Sequence, residues 1–219
     1  MAGWRSPVAK EGFPFIAAFA GVAALGSWFC PVVIGDIGLW ILTAWCIWFF
    51  RDPERETPDG PGQVIAPADG RVIVIEEVAA APLSGEPARK ISIFMNVFNV
   101  HVNRSPVQGR VLETQYHPGK FLNAALDKAS TENERMDILL EMADGGRLPF
   151  TQVAGLVARR IVCHLDQGQE LVRGERFGLI RFGSRVDVYL PLSAKPGVTL
   201  GDTTRAGETV IAVLDGDHG

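Results

Sequence analysis

Arg181-Phe182-Gly183-Ser184-Arg185-Val186-Asp187-Val188-Tyr189-Leu190 runs from a glycine-serine pair straight into alternating side chains. A period of two is the mark of a β-strand, because successive side chains point to opposite faces. Short β-branched or alternating runs recur at 71–75, 91–95, 110–112, 153–162 and 209–214, separated by Gly, Pro and Asp. Such spacing predicts several strands and few helices, hence an α+β fold, mostly β, with a sandwich or barrel-like domain over residues 52–219. One or two helices are expected in that domain. Thr131-Glu132-Asn133-Glu134 has the form of a capping box, followed by apolar Met136, Ile138, Leu139, Leu140 and Met142 and ended by Gly145-Gly146, so it predicts a helix.

Outward from these strands the composition changes. The chain has 219 residues, 47% hydrophobic and 21% charged, enough apolar material for one domain and something extra. The extra part is the N-terminus: between residues 12 and 50 the only charged side chain is Asp36, and four of the five tryptophans lie there. Two apolar runs, 13–29 and roughly 34–50, flank Cys30-Pro31 and the Gly35-Asp36 turn. A helix rises about 1.5 Å per residue and a bilayer core is about 30 Å thick, so each run is at the short end for crossing. Residues 1–51 are therefore expected to form a tight membrane-associated helical hairpin, spanning or embedded. Arg5 and Lys10 precede it and Arg51 and Arg55 follow it, which places both flanks, and the domain that follows, on the cytoplasmic side. Trp40, Trp45 and Trp48 suit an interface better than a dry core. A cleaved signal peptide is the main rival, but no small-x-small site follows the first run. Cys30, Cys46 and Cys163 have no metal-ligand spacing, and a net charge of −4 gives no reason to expect nucleic acid.

Gly183-Ser184 admits two readings. Most glycine-serine pairs beside strands are turns or bulges. The other is chemical: glycine opens backbone conformations that bring the following hydroxyl to its carbonyl, so Ser184 can attack the preceding peptide bond. Acyl transfer to Oγ and β-elimination then leave a dehydroalanine, which hydrolyses to a pyruvoyl group. A serine needs a base for this. Of His101, His117, His164 and His218, His101 is the leading candidate, since His218 is next to the C-terminus and His164 sits after a β-branched run. Asp69, in a Pro-Ala-Asp-Gly turn, is expected to orient the imidazole or act on the serine itself, although Asp-Gly is also a common turn pair.

Five motifs lie in register: Trp48-Phe49-Phe50-Arg51-Asp52-Pro53, Ala66-Pro67-Ala68-Asp69-Gly70, Phe98-Asn99-Val100-His101-Val102-Asn103-Arg104-Ser105-Pro106, Tyr116-His117-Pro118-Gly119-Lys120-Phe121 and Phe182-Gly183-Ser184. In this order and at this length the set resembles the short, membrane-associated class of phosphatidylserine decarboxylase proenzymes. The resemblance implies self-cleavage between Gly183 and Ser184 into a long chain, 1–183, and a short chain, 184–219. The two are expected to stay together as a heterodimer, with further oligomerisation left open. It implies a covalent pyruvoyl cofactor made from Ser184, with no pyridoxal phosphate and no metal. The substrate would be membrane phosphatidylserine, held as a Schiff base and released as phosphatidylethanolamine and CO2. Asp69 matches the family's Pro-x-Asp-Gly turn, and His101 matches the second histidine of a Tyr-His-x-x-His-like motif. The first has no counterpart here, because Phe98 or Asn99 stands in its place. Arg104 and Lys120 are candidates for the lipid phosphate or the substrate carboxylate, or else surface charges. Tyr116, His117 and Phe121 are expected to shape the mouth of the pocket.

A non-enzymatic alternative rests on 62–72 and 201–211, which look like the half-motifs of biotinyl/lipoyl-type sandwiches. The protein would then be a membrane-anchored carrier or adaptor modified at Lys128, within Asp127-Lys128-Ala129.

Overall fold

The computed structural model describes residues 6–29, 33–125, 132–155, 160–181 and 184–214. The chain divides into two compact units, Met1–Glu54 and Arg55–Gly219.

The first unit is a pair of helices, α1 (Phe13–Phe29) and α2 (Val33–Phe49). Pro14 sits in the opening turn of α1, where a missing N–H breaks no helical bond. The two hydroxyls in these helices bond back to their own turn, Ser27 Oγ to the Ala23 carbonyl at 3.0 Å and Thr43 Oγ1 to that of Leu39 at 2.9 Å, so neither needs an outside partner. The ends of the pair are tied together. Ala9 N–H donates to the Phe50 carbonyl at 2.8 Å and Asp52 N–H to that of Pro7 at 2.7 Å, while Phe15 and Phe50 stack at 5.7 Å. The Arg51 guanidinium lies 4.2 Å from the centre of the Trp48 ring, a cation–π contact. Phe13, Val22, Leu25, Trp28, Ile37, Trp40, Ile41 and Trp48 are exposed. The segment Lys10–Trp28 is long and apolar enough to cross a membrane, and Gly35–Phe49 is a shorter apolar helix.

The second unit is built from β1 (Gln63–Ile65), β2 (Gly70–Val78), β3 (Ala88–Met95), β4 (Val102–Arg104), β5 (Gly109–His117), β6 (Arg135–Glu141), β7 (Arg147–Val153), β8 (Ile161–Cys163), β9 (Glu170–Leu171), β10 (Arg176–Ile180), β11 (Ser184–Leu190), β12 (Lys195–Pro196), β13 (Thr203–Thr204) and β14 (Val210–Val213). They form an eight-stranded sheet in the order β13-β2-β3-β11-β7-β6-β5-β9, and two three-stranded sheets, β1-β14-β12 and β4-β10-β8. The fold is thus α+β and mostly β, as the sequence predicts.

The decisive stretch is β11, paired antiparallel with β3 on one side and β7 on the other. Its alternation separates two faces. Val186, Val188 and Leu190 join Ile91, Ile93, Ile138, Leu140, Leu148 and Phe150 in one hydrophobic core, where Phe150 meets Phe177 edge to face at 5.3 Å. Arg185, Asp187 and Tyr189 point the other way and are buried too.

Two strand and helix expectations are corrected. The segment read as a capped helix from Thr131 is strand β6 from Arg135 onward; Thr131 itself lies outside the described residues, and Glu132 alone is helical. Met136, Ile138 and Leu140 obey a period of two that Leu139, buried on the opposite face, disguised as a helical run. Asn133 caps nothing: its amide clamps Leu122 (2.9 and 2.8 Å) and the Ala154 carbonyl (2.7 Å). Gly145, at φ +82°, belongs to the turn of the β6–β7 hairpin, not to a helix end. The expected strand 153–162 is likewise two, β7 ending at Val153 and β8 starting at Ile161, with 156–159 outside the described residues.

Candidate active site

Ser184 opens β11 and faces Met95 of β3 in the ladder. It is completely buried, on the same face as Val186, and its hydroxyl is directed at the Met95 sulfur, 3.9 Å away. A thioether is a weak acceptor. The same sulfur lies 3.7 Å from Asn103 Nδ2, which also donates to the Pro67 carbonyl at 3.4 Å. Asn103 Oδ1 in turn accepts from Gln152 Nε2 at 2.8 Å. Residues from β3, β4, β7, β11 and the 66–70 turn therefore converge on one buried polar patch.

His101 immediately precedes β4 and is 2% exposed. Its Nδ1 is 3.0 Å from the Asn99 carbonyl. A carbonyl only accepts, so in the neutral ring Nδ1 carries the proton and Nε2 keeps the lone pair. The turn bearing Asp69 is held from several sides. Asp69 Oδ2 is 3.0 Å from Arg55 Nη2, and its Oδ1 accepts from the Ala206 N–H at 2.7 Å. Arg104 N–H donates to the Pro67 carbonyl at 2.9 Å, and Thr204 Oγ1 to that of Ala68 at 3.0 Å. Gly70 must be glycine, because a Cβ would collide with the Phe94 carbonyl. Asp69 thus fixes the turn whose Pro67 carbonyl orients Asn103.

The remaining sequence-derived positions scatter. Phe182 and Gly183 lie outside the described residues, as does Lys128 of the carrier reading. Arg104 is buried and donates from Nη1 to the Gly174 carbonyl at 3.1 Å. Lys120 is exposed and paired with Glu132 at 3.0 Å. Phe121 packs against the core. Tyr116 is exposed with its phenol beside Glu134; desolvation first, and that carboxylate second, hold the phenol above its ordinary value.

His117 stands on the other face of the sheet from Ser184. Its Nε2 is 3.0 Å from Asp137 Oδ2, and Asp137 Oδ1 accepts from Thr151 Oγ1 at 2.7 Å. Next to them Arg185 grips Asp187 with two contacts, Nε to Oδ1 at 2.8 Å and Nη2 to Oδ2 at 3.0 Å, and donates from Nη1 to the Ala124 carbonyl at 3.1 Å. Tyr189 completes this layer, its phenol pushed well up by burial and then by Asp187 and Asp137. Over the layer lies a cavity of about 410 Å³ lined by Lys90, Gln115, His117, Arg135, Asp137 and Tyr189. The Cys163 thiol is also pushed up by burial, and among the described residues no cluster of His, Cys, Asp or Glu is grouped to hold a metal.

Sequence reasoning missed Met95, Gln152 and Arg55. For Gln152 a signal existed: it follows Leu148 and Phe150 at a spacing of two, so a polar side chain occupies a core position of the strand. Met95 and Arg55 carry no such local mark.

The phosphatidylserine decarboxylase family profile matches residues 42–212. Three relatives bear the name phosphatidylserine decarboxylase proenzyme. That of Magnetococcus marinus is 58% identical over 209 residues, covering 95% of this chain and 96% of its own length. The Paramagnetospirillum magneticum protein is 52% identical over 217 residues, 97% of this chain and 89% of its own. The Nitratidesulfovibrio vulgaris protein is 52% identical over 209 residues, 94% of each. With a family match over most of its length and relatives this similar from end to end, the chain belongs to the phosphatidylserine decarboxylase family, a family of carboxy-lyases.

Proposed function

We propose that the chain is a self-processing phosphatidylserine decarboxylase whose catalytic domain is residues 52–219 and whose Ser184 becomes a covalent pyruvoyl group. The observation that carries this reading is the state of Ser184, fully buried and facing only a thioether among the described residues. A buried hydroxyl without a strong partner is destabilising, and a purely structural position would take alanine. Its proton is correspondingly available for transfer.

In the processing step Oγ adds to the Gly183 carbonyl carbon, the C–N bond breaks, and the acyl group passes to oxygen as an ester. Loss of the α-proton of residue 184 with scission of Cβ–Oγ then releases Gly183 as a carboxylate and leaves dehydroalanine. Water converts it to the pyruvoyl group, with loss of ammonia. His101 acts as the base through Nε2, its tautomer set by the Asn99 carbonyl. Asp69 assists by holding the 66–70 turn in place. Once formed, the pyruvoyl carbonyl supplies an electron sink for the pair left when the carboxylate of phosphatidylserine departs as CO2. The reading needs neither pyridoxal phosphate nor a metal.

After cleavage the short chain keeps β11 between β3 and β7, β14 against β1 and β13 against β2, which supports a stable pairing of 1–183 with 184–219. Lys120 is better placed than Arg104 for a lipid phosphate, because its exposed ion pair is weak and exchangeable. Residues 1–51 serve as the membrane hairpin, with Trp28, Trp40 and Trp48 toward lipid and the catalytic domain on the cytoplasmic face.

His101→Ala is expected to lose self-cleavage or turnover of phosphatidylserine by about 100-fold or more, the scale of a general base, and His117→Ala to lose far less. Normal cleavage and turnover in both variants would contradict the assignment of His101. A wild-type protein that leaves phosphatidylserine intact would overturn the reading as a whole.

A further inference from the structure

The buried polar patch around Ser184 has a fixed direction. The Pro67 carbonyl only accepts, so Asn103 turns Nδ2 toward it and presents Oδ1 to Gln152. Gln152 must then offer Nε2 to Asn103, and its other amide atom, Oε1, is an acceptor. That oxygen is completely buried and has no hydrogen-bond partner among the described residues. An orphaned acceptor of this kind is rare in folded proteins and destabilising unless something else fills it.

Its place in the sheet says what fills it. Gln152 pairs with Val186, two residues along β11 from Ser184 and on the same face, so it is the diagonal cross-strand neighbour of Ser184. Among the described residues, His101 Nε2 is the base assigned above, and three further acceptors near Ser184 are taken. The Pro67 carbonyl receives Arg104 N–H and Asn103 Nδ2, Asn103 Oδ1 receives Gln152, and the Met95 sulfur faces both Ser184 and Asn103. A substrate amine brought to residue 184 carries N–H donors that must be satisfied in a buried site. We infer that Gln152 Oε1 is the acceptor that binds the amino group of the phospholipid headgroup and so selects lipids bearing a primary amine.

This inference rests on the proposed decarboxylase reading, and its test separates the two. In the full chain, Gln152→Met keeps the volume and removes the acceptor, whereas Gln152→Glu keeps an acceptor oxygen. Both variants are expected to yield 1–183 and 184–219 as the wild type does. Binding of dioctanoyl phosphatidylethanolamine and dioctanoyl phosphatidylglycerol, measured by calorimetry, gives a ratio that a merely structural residue would not change. Gln152→Met is expected to lower the preference for the amine lipid by about 10- to 100-fold, as expected for a hydrogen bond to a charged group, and to raise KM for phosphatidylserine more than it lowers kcat. Gln152→Glu is expected to retain most of the preference. An unchanged ratio in Gln152→Met would overturn the inference, and so would failure of both variants to cleave, which would assign Gln152 to processing or folding. A wild-type chain that never cleaves would instead sink the pyruvoyl reading beneath it, whatever the Gln152 variants do.

Discussion

Ser184→Ala is expected to remain one chain of 219 residues and to release no CO2 from phosphatidylserine. The substitution removes the nucleophile of the processing step and, with it, the only source of the electron sink. Enzymatic acceleration is ordinarily about a millionfold or more, and none of it survives without that sink, so activity falls to background. Folding should not confuse the result. The hydroxyl lost contacts only a thioether among the described residues, and deleting a poorly bonded buried hydroxyl is close to neutral. Electrophoresis under denaturing conditions and a CO2-release assay check both halves. Cleavage of the alanine variant at the same bond would remove Ser184 from the chemistry.

Arg185→Met is expected to produce the largest loss of stability. Arg185 and Asp187 are both fully buried in the middle strand of the sheet, joined by two contacts. Removing the guanidinium strands a carboxylate in the interior, which destabilises by about 3–5 kcal/mol, whereas replacing both partners with apolar groups is often tolerated. Arg185→Met should therefore unfold at markedly lower denaturant, and Arg185→Met with Asp187→Leu should recover much of the difference. Working in the Ser184→Ala background keeps processing out of the comparison. A single variant within about 1 kcal/mol of its parent would mean that the pair does not hold the sheet.

How much of this was legible beforehand follows from what each signal measures. The helical pair was readable because long, nearly uncharged runs have few alternative structures, and β2, β3, β11 and β14 because they are short β-branched or alternating runs bounded by turn residues. The β6 segment misled because both of its faces are buried. Leu139 covers one side and Ile138 and Leu140 the other, so an apolar run followed a Ser/Thr-like cap and ended in two glycines, and only pairing with β5 and β7 decides it. A candidate site could be proposed from the sequence where motifs carry chemistry, at Ser184, His101 and Asp69. It was not legible where geometry is tertiary. Asp69 finds Arg55 and Ala206, which no local pattern links. His117 shares a motif with Phe121, yet His117 ends β5 and pairs with Asp137 on the face away from Ser184, whereas Phe121 lies beyond the strand and packs against the core.

The central claim is that the chain cuts itself before Ser184 and turns that residue into a ketone. Intact-mass analysis of the purified wild-type protein tests it most directly. The account predicts two species, one spanning 1–183 with a free carboxylate at Gly183 and one spanning 184–219 that begins with a pyruvoyl group and has no terminal amine. A single species of 219 residues, still able to decarboxylate phosphatidylserine, would contradict it.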